Sequence, residues 1–267
     1  MERTAAVKLK NITKTFGSVV ANEDINMSIY NGEILALLGE NGSGKTTLMN
    51  MLSGIYYPDE GKIFINGKEE LIASPKDSFR LGIGMVHQHF KLIDVLSATE
   101  NIILGLEGKL NLKEASIKIK EICDKYGFDV DPDKKIYDMS VSEKQTVEIV
   151  KVLYRGASIL ILDEPTAVLT PQETEKLFNV LRNMRDDGKA IVIITHKMHE
   201  VLSLSDRVAV LRKGKYVGDM ITKETTVQQM TDMMVGHAVS LNIERPEPVN
   251  PKKRLEVKNL TVRSEDG

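Results

Sequence analysis

Cysteine is nearly absent from this sequence: Cys123 stands alone, so no disulfide can form within the chain, which is compatible with a reducing compartment. No apolar run approaches the roughly 20 residues needed to cross a bilayer, and the opening residues, MERTAAVKLKN, lack a signal-peptide core. Membrane contact is therefore expected to be peripheral. A surplus of one charge is missing as well. The formal net charge is −2 over 267 residues, which argues against broad nucleic-acid binding, for which a basic excess is expected. The basic run Lys252, Lys253, Arg254 reads as solvated linker. With 42% hydrophobic and 28% charged residues, the composition suits one large globular domain or two small ones.

Glycine, by contrast, is concentrated where it carries information. Residues 39–46 read GENGSGKT and follow the apolar run Ile34-Leu35-Ala36-Leu37-Leu38. A strand running into G-x-x-x-x-G-K-T marks a nucleoside-triphosphate site. Backbone N–H groups of such a turn, and of the helix after it, surround phosphates, and the helix dipole favours their charge. Gly39, Gly42 and Gly44 suit positions of close approach or positive φ. Glu40, Asn41, Ser43 and Thr47 complete the candidate binding loop, Lys45 supplies a point charge and Thr46 a hydroxyl for Mg²⁺. The bland alternative is a chance glycine turn.

Two further strands are expected to end in chemistry. Ile159-Leu160-Ile161-Leu162 leads to Asp163 and Glu164, two carboxylates at the carboxyl end of a buried strand, the edge at which doubly wound sheets bind ligands. Asp163 is placed to hold Mg²⁺ and Glu164 to orient an attacking water; a helix-capping acid pair is the structural alternative. Ile191 to Thr195 delivers His196 to the same edge, where a neutral imidazole can meet the γ-phosphate. The H-x-x-H of His196 and His199, and His87 and His89 around Gln88, do not match a zinc-ligand pattern.

Along the chain, alternating apolar runs predict antiparallel strands over 7–12 and 25–29 and a strand over 34–38. A helix over about 46–53 with Gly54 as terminator follows, then a strand at 63–65 with a tight Asn66-Gly67 turn. A strongly helical insert spans about 90–156, most periodic over 113–126, and buried parallel strands fall at 158–162, 190–195 and 208–211. The order is β-rich first, then an α/β core interrupted by helices. Leu9-Lys10-Asn11-Ile12-Thr13 returns as Val257-Lys258-Asn259-Leu260-Thr261, just after a proline-bearing stretch. The division expected is a first domain over 1–243, a linker over 244–253 and the start of a second copy over 254–267; coincidence between two edge strands is the alternative.

These motifs, in this order, resemble the ATP-binding cassette (ABC) ATPases over nearly all of residues 5 to 240. GENGSGKT is similar to Walker A, LILDEP to Walker B, Gln88 in VHQHF to the Q-loop, MSVSEKQ to the signature and His196 to the switch histidine. Phe16 lies where the family places an aromatic ring against adenine. The resemblance implies an α/β P-loop NTPase with a RecA-like parallel-sheet core, an antiparallel β subdomain and a helical subdomain. It implies ATP and Mg²⁺, with Gln88 also near the metal, and Gln88, Glu164 and His196 in catalysis. Two such domains clamp two ATP molecules, each touching the Walker motifs of one domain and the signature of the other. VHQHF, LYRGA and DEPTAVLTPQE sharpen the likeness toward tandem ATPases of simple-sugar and nucleoside importers. That implies two transmembrane permease subunits, an extracytoplasmic substrate-binding protein indirectly, a second ABC domain, no nucleic acid, and a peripheral place on the cytoplasmic face of the membrane. The surface between about Phe90 and Ile103 is the implied permease contact. The alternative is a tandem soluble ABC switch associated with ribosomes.

Two departures from the family pattern affect the expected mechanism. The signature reads Met139-Ser140-Val141-Ser142-Glu143, with Ser142 replacing a glycine, so the ATP site that it completes is expected to be weak or silent. Ser140-x-x-Glu143 and Ser142-x-x-Gln145 both also have capping-box spacing, which explains these residues without catalysis. The D-loop reads Ala167-Val168-Leu169-Thr170 without its usual aspartate, and Thr170-Pro171-Gln172-Glu173 forms a helix start.

Overall fold

The computed structural model describes residues 4–106, 111–237 and 255–261. Strands β1 (Ala5–Phe16) and β2 (Val19–Tyr30) form a long antiparallel hairpin, and β3 (Ile34–Leu38) runs through the glycine loop into helix α1 (Lys45–Leu52). Strands β4 (Glu60–Ile65) and β5 (Lys68–Glu70) form a second hairpin, followed by α2 (Pro75–Arg80) and β6 (Ile83–Val86). Helices α3 (Ala98–Ile103), α4 (Leu112–Tyr126) and α5 (Val141–Tyr154) make the helical insert. The chain then alternates β7 (Ile159–Asp163), α6 (Pro171–Asp186), β8 (Ala190–Ile194), α7 (Met198–Leu204), β9 (Arg207–Arg212), β10 (Lys215–Ile221) and α8 (Val227–Val235).

Two sheets result. The antiparallel one has the order β2-β1-β4-β5, and the larger one runs β10-β9-β3-β8-β7-β6. In the larger sheet β9, β3, β8, β7 and β6 are parallel, while β10 pairs antiparallel with β9, so the core sheet is mixed at one edge. Every residue of β3 and β8 is buried, because helices cover one face and the antiparallel sheet with α1 covers the other. The carboxyl ends of β3, β7 and β8 thus reach one edge.

Local chemistry explains the boundaries. In β1, Leu9 and Ile12 are both buried although three residues apart, because Asn11 at φ 53° sits in a register shift that turns the strand back toward the core. Asn66 and Gly67, at φ 49° and 80°, make the tight turn between β4 and β5. Helix α4 starts at an Asn111 side-chain cap and ends at Gly127 in the left-handed region. Helices α3, α4 and α5 enclose their own apolar cluster, while Ile149, Val152 and Leu153 of α5 join the cluster beneath the main sheet.

The long hairpin extends well beyond the expected 7–12 and 25–29, since polar residues continue the ladder toward its exposed turn. Helix α2 and strands β6 and β10 are not anticipated by the sequence pattern; β6 has only four residues, too few to show a period. Of the signature's two capping spacings, Ser140 with Glu143 forms the reciprocal box, whereas Ser142 lies inside the first turn. Thr170 and Glu173 form the expected box at the start of α6. The stretch 244–253 lies outside the described residues, as do 254 and 262–267; residues 255–261 are exposed and form no strand.

Candidate functional site

The glycine loop is held in place from the protein side. A Cβ on Gly39 would come 2.3 Å from the Leu211 carbonyl oxygen, and one on Gly44, at φ 95°, would come 2.3 Å from that of Ala21. Both positions therefore require glycine before any ligand is considered. Buried Asn22 donates its side-chain amide to the Gly44 carbonyl at 3.2 Å, pinning the loop to β2. Lys45 folds back over the turn, its Nζ donating to the carbonyls of Gly39 at 2.8 Å and Glu40 at 2.9 Å. Burial lowers the Lys45 pKa, opposed by Glu164 and Asp163. Among the described residues the buried Ser43 hydroxyl finds no hydrogen-bond partner, which leaves a polar group free within the loop.

Strand β7 brings the carboxylates to this loop. Thr46 Oγ1 donates to Asp163 Oδ2 at 3.4 Å, across 117 residues of chain. Burial raises the Asp163 pKa and neighbouring Glu164 raises it further, against lowering by Thr46, His87 and Lys45. Glu164 has φ 48°, a left-handed backbone unusual outside glycine, and its N–H donates to Ile194 O at 2.9 Å. Its Oε1 accepts from His196 Nδ1–H at 2.9 Å, which leaves Nε2 as the ring's outward nitrogen.

These groups border one cavity of about 510 Å³. Asn41, Gly42, Gly44, Lys45, Thr46, Thr47, Gln88, Asp163, Glu164 and His196 all line it. Phe16 does not: its ring meets Tyr56 edge to face at 5.1 Å, with Lys14 Nζ 5.4 Å from its centroid. Ser140, Ser142 and Glu143 border a separate cavity of about 660 Å³ between α5 and α6, and Val141 is exposed. The structure thus separates the signature from the Walker motifs of its own chain. Sequence reasoning missed Val19, Val20 and Ala21, which also line the phosphate-loop cavity. No motif marks them; the β1–β2 hairpin alone carries them there.

A profile of the ABC transporter family matches residues 22–167, which contain the glycine loop, Gln88, the signature and the carboxylate pair. The chain belongs to the ABC transporter family. It is 46% identical, over all of its length, to the nucleoside import ATP-binding protein NupA of Lactococcus lactis subsp. cremoris, and 44% identical over 98% of its length to the guanosine import ATP-binding protein NupO of Bacillus subtilis. This ABC chain spans 54% and 52% of those two relatives, about half their length. Among solved structures, cbiO1 from Clostridium perfringens, part of the ABC transporter complex cbiONQ, superposes with a TM-score of 0.73 at 30% identity. That match covers 83% of this chain and 90% of cbiO1. The P-loop cassette fold expected from the motifs is the fold observed, with β10 as an antiparallel addition to the core sheet.

Proposed function

We propose that this chain is an ATP-binding and ATP-hydrolysing domain that energises import of nucleosides or simple sugars through a membrane permease. The observation that carries this reading is the gathering of Lys45, Thr46, Gln88, Asp163, Glu164 and His196 around one cavity. The loop N–H groups and Lys45 hold the phosphates, Glu164 orients a water for attack and accepts its proton, and His196 presents Nε2 toward the terminal phosphate. Electrostatic stabilisation of this kind is commonly the largest catalytic contribution. The import relatives favour transport over a ribosome-associated switch.

Mg²⁺ suits the donor set. Thr46 and Asp163 offer hard oxygen ligands 3.4 Å apart, and a cation would relieve the cost of burying the Asp163 charge. Among the described residues no group of three or more His, Cys, Asp or Glu gathers as a metal site, so nucleotide oxygens and water would complete the shell. When bound, the ion neutralises phosphate charge. In this reading Gln88 approaches the ion, Phe16 meets the adenine, and Ser140, Val141, Ser142 and Glu143 act on the nucleotide of a second domain. Asn11 and Asn259, at φ 53° and 52°, hold equivalent positions in the repeated motif, which supports 255–261 as the beginning of that domain. Two permease subunits, a substrate-binding protein outside the membrane and a place on its cytoplasmic face belong to the same proposal; no described helix is long and apolar enough to cross a membrane.

The test is to purify the full-length protein with its membrane partners in lipid discs and measure ATPase activity with a loaded substrate-binding protein. Stimulation by a nucleoside- or sugar-loaded form is expected. Unstimulated activity together with co-sedimentation on ribosomes would overturn the transport reading.

A further inference from the structure

Glu200 is 5% exposed and does not border the nucleotide cavity. It occupies the third position of α7, where an acidic side chain ordinarily folds back onto the helix start. In α3, α5, α6 and α8 the corresponding Glu100, Glu143, Glu173 and Gln229 do so, each closing a reciprocal box. In α7 the cap is Lys197 and no such box forms.

The Glu200 carboxylate is turned instead toward two segments of the site. It accepts from Thr166 Oγ1 at 2.6 Å and from Thr195 Oγ1 at 3.4 Å, and pairs with Lys197 Nζ at 3.1 Å. Lys197 Nζ also donates to the Thr166 carbonyl at 2.8 Å. Thr166 lies two residues after Glu164, and Thr195 and Lys197 flank His196. The cluster therefore ties together the backbone on both sides of the 2.9 Å contact between Glu164 and His196.

That contact needs such support. A glutamate at φ 48° persists only where its surroundings over-determine the backbone. The His196 side chain is 56% exposed, so packing around the ring does little to fix it. We propose that Glu200 is a positioning residue which fastens the segment after Glu164 to the segment carrying His196 and keeps the two side chains in register for hydrolysis. The inference rests on the assignment of Glu164 and His196 to the reaction.

The experiment measures kcat and KM for ATP in the full-length protein assembled with its membrane partners. It compares wild type with Glu200→Gln, Thr166→Val, Glu164→Gln, His196→Ala and the double variant Glu200→Gln/His196→Ala. Misplacing reacting groups by a fraction of an ångström predicts a kcat loss of roughly ten- to a hundredfold in Glu200→Gln and Thr166→Val, with KM held within about twofold. In the His196→Ala background Glu200→Gln should cost less than about threefold, since the residue to be positioned is gone. Additive losses in the double variant, or kcat and KM changing together, would overturn the proposal. If Glu200→Gln does not fold, Thr166→Val carries the test, because it leaves the Glu200–Lys197 pair in place. Wild-type turnover in Glu164→Gln and His196→Ala would sink the site assignment and this inference with it. Silent Glu164→Gln and His196→Ala variants beside fully active Glu200→Gln and Thr166→Val would sink this inference alone.

Discussion

Glu164 and His196 meet at 2.9 Å although 32 residues separate them in the chain. Each follows a parallel strand, and β7 and β8 pair with Asp163 opposite Ile194, so the register of two buried strands delivers both side chains to one point. A hydrogen bond from Nδ1–H fixes the ring and turns Nε2 outward, while the second carboxylate oxygen stays available to a water molecule.

Replacing Glu164 by glutamine keeps the size of the side chain and removes its capacity to accept a proton. Turnover by the full-length assembly is expected to fall on the order of a hundredfold or more, with ATP affinity little changed and a prolonged ATP-bound state. Phosphate release measured alongside binding of a fluorescent nucleotide checks this; equal turnover would show that Glu164 is not the base.

Lys45 is a buried cation held by two carbonyls of the glycine loop. Lys45→Ala should weaken nucleotide binding by about tenfold or more, the effect of losing a hydrogen bond to a charged group. Calorimetric titration with ATP and Mg²⁺ reads this directly, and unchanged affinity would move the phosphates elsewhere.

Asp163 bears on stability with a definite sign. Its folded pKa is raised above the ordinary 3.8, first by burial and then by Glu164, so the folded state binds this proton more tightly than the unfolded chain. The corresponding stabilisation is present below the ordinary pKa and is lost as pH rises through the folded one. Asp163→Asn should therefore raise the neutral-pH melting temperature of nucleotide-free protein, by roughly 2–4 °C for each 1 kcal/mol relieved in a domain of this size. The same variant should lose the further rise that Mg²⁺ adds in the presence of ATP. Melting curves from pH 4 to 8 would show the opposite slope if the sign were wrong.

Ser142 sits in the first turn of α5 and borders, with Glu173, the cavity between α5 and α6. Ser142→Gly leaves the Ser140 cap intact and removes the Cβ and hydroxyl at this position. In the full-length protein the change should increase both turnover and the nucleotide held per chain. No change in either measurement would show that Ser142 does not limit the site it completes.

Cys123 is buried in the helical insert, and burial pushes its thiol pKa up to about 11. Reaction with a thiol reagent at neutral pH should be slow in the native protein and fast in denaturant. Rapid native labelling would show that the cluster enclosed by α3, α4 and α5 opens readily.

Much of the site is legible in the sequence because phosphate chemistry imposes local spacing. Gly39 to Thr46 form one turn and the start of one helix, and Asp163 and Glu164 follow four consecutive buried residues, so each group announces itself within a few positions. Helices α5 and α6 are equally plain where the Ser140 and Thr170 caps precede a glutamate by three residues. Glu200 holds the same third position in α7, but its cap is Lys197 and its carboxylate bonds Thr166, a partner that no spacing along the chain reveals.

The sequence by itself determined the glycine loop after its strand, where the acids and His196 lie, and which strands are buried, because these depend on neighbours in the chain. Tertiary structure alone decided that Thr46 meets Asp163, that Glu164 meets His196, that Val19 to Ala21 border the cavity, and that Ser142 stands apart from it. Those relationships come from the order β3-β8-β7 and its register, which arise when non-local strands bury their faces together. No spacing along the chain encodes a distance across a sheet.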